Sequence, residues 1–243
     1  METYKNKIYL TNIFIIDWDD TLYPTSWVNK NSIDVTNTSI LQQYKIYFLE
    51  LDKTISGLLE SLNQVGDVWI VTNANINWIK SCLIGLDLTR KTIMKNNIRI
   101  VSARDSYSLN STSPTEWKIL TFQDILEDII SKIANRIKSN TYINIISIGD
   151  AMYEYMALIN LDNFIKSYLI NNNNLQQNQQ NQQNQQNQQN QRKSKKQFKY
   201  LLKNIKFMEK PDFEFVIDQM NVLNKNKDDI INKLEFIDLK FTN

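Results

Sequence analysis

Ile13-Phe14-Ile15-Ile16-Asp17-Trp18-Asp19-Asp20-Thr21 is an apolar run that breaks into three acids within four positions. A short block of Ile and Phe that stops at polar residues is the pattern of a parallel strand buried on both faces, a strand that carries ligands at its carboxyl end. Side chains two apart on an extended backbone share a side, so Asp17 and Asp19 are expected to project together while Trp18 turns away. Two carboxylates about 4 Å apart repel by about 4 kcal/mol at an effective dielectric of about 20. Either a cation sits between them or one keeps a proton. The first outcome makes a Mg²⁺ seat and the second a nucleophile beside a general acid. Taken alone, Asp-x-Asp also fits an ordinary acidic turn, since Asp is common wherever chains bend. The rest of the chain decides between these readings.

Composition narrows the chemistry. The chain has 243 residues, a net charge of +2 and no histidine. Near-balanced charge argues against a general nucleic-acid partner. Without histidine, Ser-His-Asp and Cys-His catalysis and His-based zinc sites are excluded. Cys82 is the only cysteine, so neither a disulfide framework nor a Cys cluster for zinc can form, and a reducing compartment fits. Catalysis would rest on Asp, Glu, Lys, Thr and Ser with a hard, oxygen-loving metal. No apolar run approaches about 20 residues, so no membrane span or membrane partner is expected. Met1 to Lys7 lacks the build of a secretory signal. The expected location is cytoplasmic, or nuclear should Arg192-Lys193-Ser194-Lys195-Lys196 act as a signal rather than as a solvated charge run.

Further strands follow the first. Val68-Trp69-Ile70-Val71 ends in Thr72-Asn73; Ile98-Arg99-Ile100-Val101 ends in Ser102; Ile143 to Ile148 closes on Gly149-Asp150; and Asn204 to Met208 supplies a fifth. Between them, apolar residues at three- and four-residue spacings predict helices over Thr38 to Asn63 with a bend at Gly57, over 76–86, over Leu88 to Lys95, and after Asp150. Ser113-Pro114-Thr115-Glu116 is a helix start with a Ser cap, Pro at the first helical position and Glu placed to reach back. That helix is expected to run to about Lys138, with Lys118 near its beginning. Asp212 to about Leu239 reads as a closing helix. Alternation of strands and helices predicts an α/β fold, a doubly wound parallel sheet of five or so strands in a single domain over 1–243. The nearly pure Asn/Gln tract at about 171–197 lacks apolar surface and is expected to be a disordered insertion at the amino-terminal edge of the sheet, away from the acids.

Three strand ends therefore present phosphate-handling groups: Asp17 and Asp19, Thr72, and Asp150, with Glu154 one helical turn beyond. In a parallel sheet these ends lie on one edge, so residues distant in sequence converge there. The order of these groups resembles the four motifs of the haloacid dehalogenase superfamily across nearly the whole chain. Asp17-Trp18-Asp19-Asp20-Thr21 matches Asp-x-Asp-x-Thr; Val68 to Thr72 matches the strand ending in Thr or Ser; Lys118 matches the helix-borne lysine; Gly149-Asp150 with Glu154 matches the final acidic motif.

The resemblance implies a capless member, because the gaps between motifs leave no room for a large lid. It further implies a phosphatase in which Asp17 attacks phosphorus to form an aspartyl-phosphate, while Asp19 protonates the leaving oxygen and later activates water. Mg²⁺ would be held by Asp17, the backbone carbonyl of Asp19 and Asp150. Thr72 and Lys118 would clasp phosphoryl oxygens, with Glu154 in an outer role, orienting Lys118 or a metal-bound water. Apart from the resemblance, Asn73 after the second strand and Arg104 after the third are candidates to touch substrate, Asn73 at its phosphate. The implied substrate is a phosphorylated compound, a phosphoprotein or other bulky phosphate ester. The competing expectation is a catalytically silent phosphoprotein-binding scaffold of the same fold.

Overall fold

A computed structural model of the chain describes residues 8–133, 141–183 and 199–242. Among these residues six strands form: β1 Tyr9–Ile16, β2 Gly66–Thr72, β3 Arg99–Ser102, β4 Thr141–Gly149, β5 Lys199–Lys206 and β6 Ile237–Lys240. All pair in parallel, in the order β3-β2-β1-β4-β5-β6. The direction of travel across the sheet reverses between β1 and β4. In open α/β sheets the crevice beyond the carboxyl ends at such a reversal is the binding position.

The strand sequences require a layer on each face. Because side chains alternate along a strand, Phe14, Ile16, Val68, Ile70, Ile146 and Ile148 enter one core cluster, while Ile13, Ile15, Trp69, Val71, Ile143 and Ile145 enter the other. The first cluster is covered by α1 Thr25–Lys30, α3 Lys45–Asn63, α4 Ile76–Cys82, α5 Asp87–Lys95 and α9 Phe213–Asn232, with α2 Thr38–Gln43 at its margin. The second is covered by α6 Ala103–Tyr107, α7 Pro114–Ile133 and α8 Met152–Gln183. Each fully buried Leu or Ile contributes about 1.5–3 kcal/mol, and α3 alone buries Leu51, Ile55, Leu58, Leu59 and Leu62. This is the α/β, doubly wound architecture that the strand pattern predicts.

Several boundaries differ from the expectation, each for a local reason. The predicted helix over Thr38 to Asn63 breaks at Tyr44, whose ψ is 18°, and continues unbroken through Gly57. Tyr44 is held edge-on to Trp27 at 5.8 Å and beside Tyr47 at 6.3 Å, so aromatic packing rather than glycine sets the break. The helix of Lys118 runs to Ile133 in the described chain, and its expected last turn lies outside the described residues. The helix α8 continues into the Asn/Gln tract as far as Gln183, beyond the end that composition predicted. Extending an existing helix adds one hydrogen bond per residue, and Gln is a fair helix former. The remainder of that tract, 184–198, lies outside the described residues.

The carboxyl-terminal expectation is corrected outright. The closing helix stops at Asn232, and Ile237–Lys240 adds a sixth strand beside β5, with Ile237 opposite Lys203 and Leu239 opposite Ile205. Lys203, fully buried, donates to the carbonyls of Ile230 at 2.5 Å and Ile231 at 2.9 Å. A cation bonded to last-turn carbonyls satisfies acceptors that the helix leaves open and marks its end. Among the described residues, no helix is long and apolar enough to cross a membrane.

Candidate functional site

Asp17 directly follows β1, and its N–H extends the ladder to β4 by bonding the Ile148 carbonyl at 2.9 Å. The chain then turns sharply. The Trp18 carbonyl accepts from Leu22 at 3.0 Å and from Tyr23 at 2.8 Å, and Asp20 takes a left-handed φ of 55°. Asp tolerates that region because its short side chain can bond locally; here it accepts from the Ser26 N–H at 2.7 Å and the Ser26 hydroxyl at 2.5 Å. Trp18 is buried and stacked on Tyr23 at 5.7 Å. The turn carries α1 back over the end of β1.

Asp19 and Asp17 find different partners. Asp19 accepts three hydrogen bonds from three elements: Thr25 Oγ1 at 2.6 Å, Trp78 Nε1 at 2.8 Å and Thr72 Oγ1 at 2.9 Å. Asp17 Oδ1 instead accepts from Lys118 Nζ at 2.7 Å, while Asp17 Oδ2 takes no hydrogen bond from a described residue. The anticipated choice between a shared cation and a shared proton is thus resolved by separate partners.

Lys118 owes its position to the start of α7. Asn73 Nδ2 bonds the Pro114 carbonyl at 3.2 Å, tying the end of β2 to the first turn of that helix. The lysine then reaches inward, 1 % exposed, to the Val71 carbonyl at 2.8 Å and to within 2.6 Å of Glu154 Oε1 as well as to Asp17. The Ser113 cap is formed, with the Glu116 N–H 3.4 Å from Ser113 Oγ, but the Glu116 carboxylate takes the Ser111 hydroxyl rather than reaching back to the cap.

The carboxylates of Asp17, Asp150 and Glu154 offer oxygens that all lie within 4.8 Å of one another. Burial, chiefly, holds Asp17 well above the usual carboxylate range; Lys118 opposes this, while Glu154, Asp19 and Asp150 add to it. Asp150 is pushed up to about 7, first by burial and then by Glu154 and Asp20. Burial works against the charge on Lys118, yet Asp17 and Glu154 together raise it above the ordinary lysine value. With all three carboxyls ionised, the one ammonium leaves negative charge uncompensated, which a bound cation would take up.

The residues present fit such a cation. Glu154 is 2 % exposed; its Oε1 lies 2.6 Å from the Lys118 ammonium, while its Oε2 has no hydrogen-bond donor among the described residues. A buried carboxylate oxygen without a donor calls for an explanation, and an ion is one. Gly149 makes room for this side chain: a Cβ there would stand 2.3 Å from Glu154 Cγ and 2.7 Å from Oε2. An all-oxygen donor set without imidazole or thiolate suits a hard divalent cation. This buried triad could hold a metal ion.

Asp17, Asp19 and Asp150 form part of the wall of an open cleft of about 710 Å³ at the carboxyl edge of the sheet, with Asn73, Asn75 and Trp78 on one side and Tyr153 on another. Comparison of the chain with protein-family models, with curated proteins and with solved structures returned no match.

Of the residues singled out in the sequence, Asp17, Asp19, Asn73 and Asp150 meet at the cleft. Thr72 and Lys118 lie fully buried behind it, bonded to Asp19 and Asp17 respectively. Among the acids expected to bind metal, Asp17 and Asp150 fall in the cluster. The expectation for Asp19 rests on its backbone carbonyl rather than its carboxylate, and Glu154, expected in an outer role, joins the cluster. Thr25 and Trp78 escaped the sequence reading. Nothing in their local pattern connects them to Asp19, because their link to it exists only once α1 and α4 are packed at the end of β1.

Proposed function

We propose that the protein is a divalent-cation-dependent phosphohydrolase of the haloacid dehalogenase type, a capless one, acting on phosphate monoesters through Asp17. The observation that carries this reading is the convergence of Asp17, Asp150 and Glu154 at the reversal of strand order, with Lys118 ion-paired to two of them. A fold-level likeness alone would not support a function; the argument rests on the site.

Asp17 and Asp150, with Glu154, would hold Mg²⁺, and the cation when bound supplies electrostatic compensation between carboxylates and phosphate oxygens. Lys118 opposes the effect of burial on Asp17, favouring its ionised form, and steadies the oxygen it holds. Asp17 Oδ2 is then the free nucleophile: it bonds to phosphorus as the ester oxygen departs, and Asp19 gives that oxygen its proton. In the second half Asp19 takes a proton from water, the water oxygen bonds to phosphorus, and the Asp17 carboxylate is released with inorganic phosphate. Thr72 contributes by orienting Asp19, and Asn73 offers an amide to the substrate at the wall of the cleft. The open cleft suits a bulky phosphate ester, a phosphoprotein included.

The test is hydrolysis of 4-nitrophenyl phosphate with Mg²⁺ present. Asp17→Asn should abolish turnover, and the wild-type protein should form a stoichiometric beryllofluoride adduct that this variant cannot form. Undiminished turnover by Asp17→Asn overturns the mechanism, and absence of both turnover and adduct in the wild type favours the silent scaffold.

A further inference from the structure

Resting on the phosphohydrolase reading, we propose that Arg104 selects substrates that carry a second anionic group on the leaving-group side, a carboxylate or a further phosphate. The cleft is acidic at its floor, where Asp17, Asp19, Asp20 and Asp150 line it, and among the described residues Arg104 is the one cation that lines it. The other arginines among the described residues are committed elsewhere: Arg90 pairs with Asp87 at 2.6 Å and Arg99 with Asp128 at 2.5 Å. Arg104 has no carboxylate partner among the described residues; its guanidinium lies over the Trp117 ring, 5.5 Å from the centroid.

That perch is fixed. Trp117 is buried, and its Nε1 donates to the Ser111 carbonyl at 2.7 Å. Ser102, at the start of α6, donates to the Ala74 carbonyl at 2.7 Å, and Asp105 accepts the Ile76 N–H at 2.8 Å, so the segment bearing Arg104 is tied to the loop after β2. An exposed arginine held over an indole keeps its planar fork of donors free for a carboxylate or phosphate, and loses less freedom on binding than a free chain would.

Position separates this group from the transferring phosphoryl. Arg104 follows β3, two strands from β1 in the sheet. Neighbouring strands lie about 4.8 Å apart, so its backbone is displaced by roughly 10 Å from the end of β1 that bears Asp17. Buried Lys118 already serves Asp17. A second anion would be repelled by the acids of the floor unless met by a fixed cation at the rim, so Arg104 distinguishes doubly anionic esters from simple ones.

The experiment compares phenyl phosphate with 4-carboxyphenyl phosphate, a pair that differs only in the distal carboxylate. With Mg²⁺, the wild-type protein should favour the carboxylated ester by about tenfold in kcat/KM, the scale of one charge-assisted contact. In Arg104→Gln that preference should disappear, mainly through KM, and Arg104→Lys should restore part of it. Equal losses on both esters, or no loss on either, overturn the proposal. Calorimetric titration of phenylphosphonate and 4-carboxyphenylphosphonate reads the same contact without turnover. Equal affinities of the wild type for the two phosphonates overturn the inference, whereas a preference abolished by Arg104→Gln upholds it even if no ester is hydrolysed, an outcome that would sink only the catalytic reading.

Discussion

Lys118 Nζ lies 2.7 Å from Asp17 Oδ1, though the two residues are 101 positions apart in the chain. The lysine is 1 % exposed, and its other ion-pair partner, Glu154, is 2 % exposed. Removing one partner from a buried pair costs about 3–5 kcal/mol when the remaining charge stays uncompensated. Lys118→Met should therefore destabilise the metal-free protein by about 3 kcal/mol in urea unfolding near pH 8, the low end of that range, because the stranded carboxyls can take up protons. The loss should shrink as pH falls towards 5, and a loss that does not change with pH would contradict the assignment.

The metal-free protein should lose stability as pH rises. Folded Asp150 titrates at about 7, above the 3.8 of an unperturbed Asp, and Asp17 is likewise raised. Between the unfolded and folded values the native state binds more protons than the unfolded one, so the slope of stability against pH is negative. The contribution is fully present below about pH 4 and lost as pH passes through about 7. In EDTA, Tm should fall across that window and the fall should be smaller in Asp150→Asn. Saturating Mg²⁺ should oppose it, since a ligand at a hundred times its Kd stabilises by about 2.7 kcal/mol. A Tm indifferent to Mg²⁺ near neutral pH would count against the triad as a cation site.

Gly149→Ala tests the seat of Glu154. The new Cβ would stand 2.3 Å from Glu154 Cγ, so the side chain must move, at a cost of about 1–3 kcal/mol for overpacking. The expected result is a folded protein with weakened Mg²⁺ binding by calorimetry, at least tenfold if the displaced carboxylate is a ligand. Unchanged affinity would exclude Glu154 from the metal site.

Trp78→Phe removes one of the three donors to Asp19 and keeps most of the ring volume. If Asp19 protonates the leaving oxygen, a misplaced carboxyl matters most where that oxygen is a poor leaving group. Turnover of an alkyl phosphate should fall by about tenfold or more, within the range assigned to general acid catalysis, and that of 4-nitrophenyl phosphate much less. Equal losses on both would point to a structural role for the indole.

Much of the frame was legible because strand identity here is a local property. Ile13 to Ile16, Val68 to Val71 and Ile143 to Ile148 are apolar on both faces, and only a strand covered on both sides accommodates that pattern. Ile237–Lys240 was not legible: its burial falls on Ile237 alone, too little apolar signal to compete with the helical spacing that precedes it. What ends α9 is Lys203, a residue of another element, with its ammonium on the carbonyls of Ile230 and Ile231.

The candidate site divides along the same line. The residues themselves, Asp17, Asp19, Thr72, Lys118, Asp150 and Glu154, stand out in the sequence, because each sits at a strand end or a helix start whose chemistry is local. Which of them neutralise one another was decided only by the tertiary structure. It gives Asp19 to Thr25, Thr72 and Trp78, gives Asp17 and Glu154 to Lys118, and sets Glu154 rather than the Asp19 carboxylate beside Asp17 and Asp150. Charge interactions depend on separation in space, and between separate elements of the chain that separation is fixed only when the sheet and its two helical layers pack.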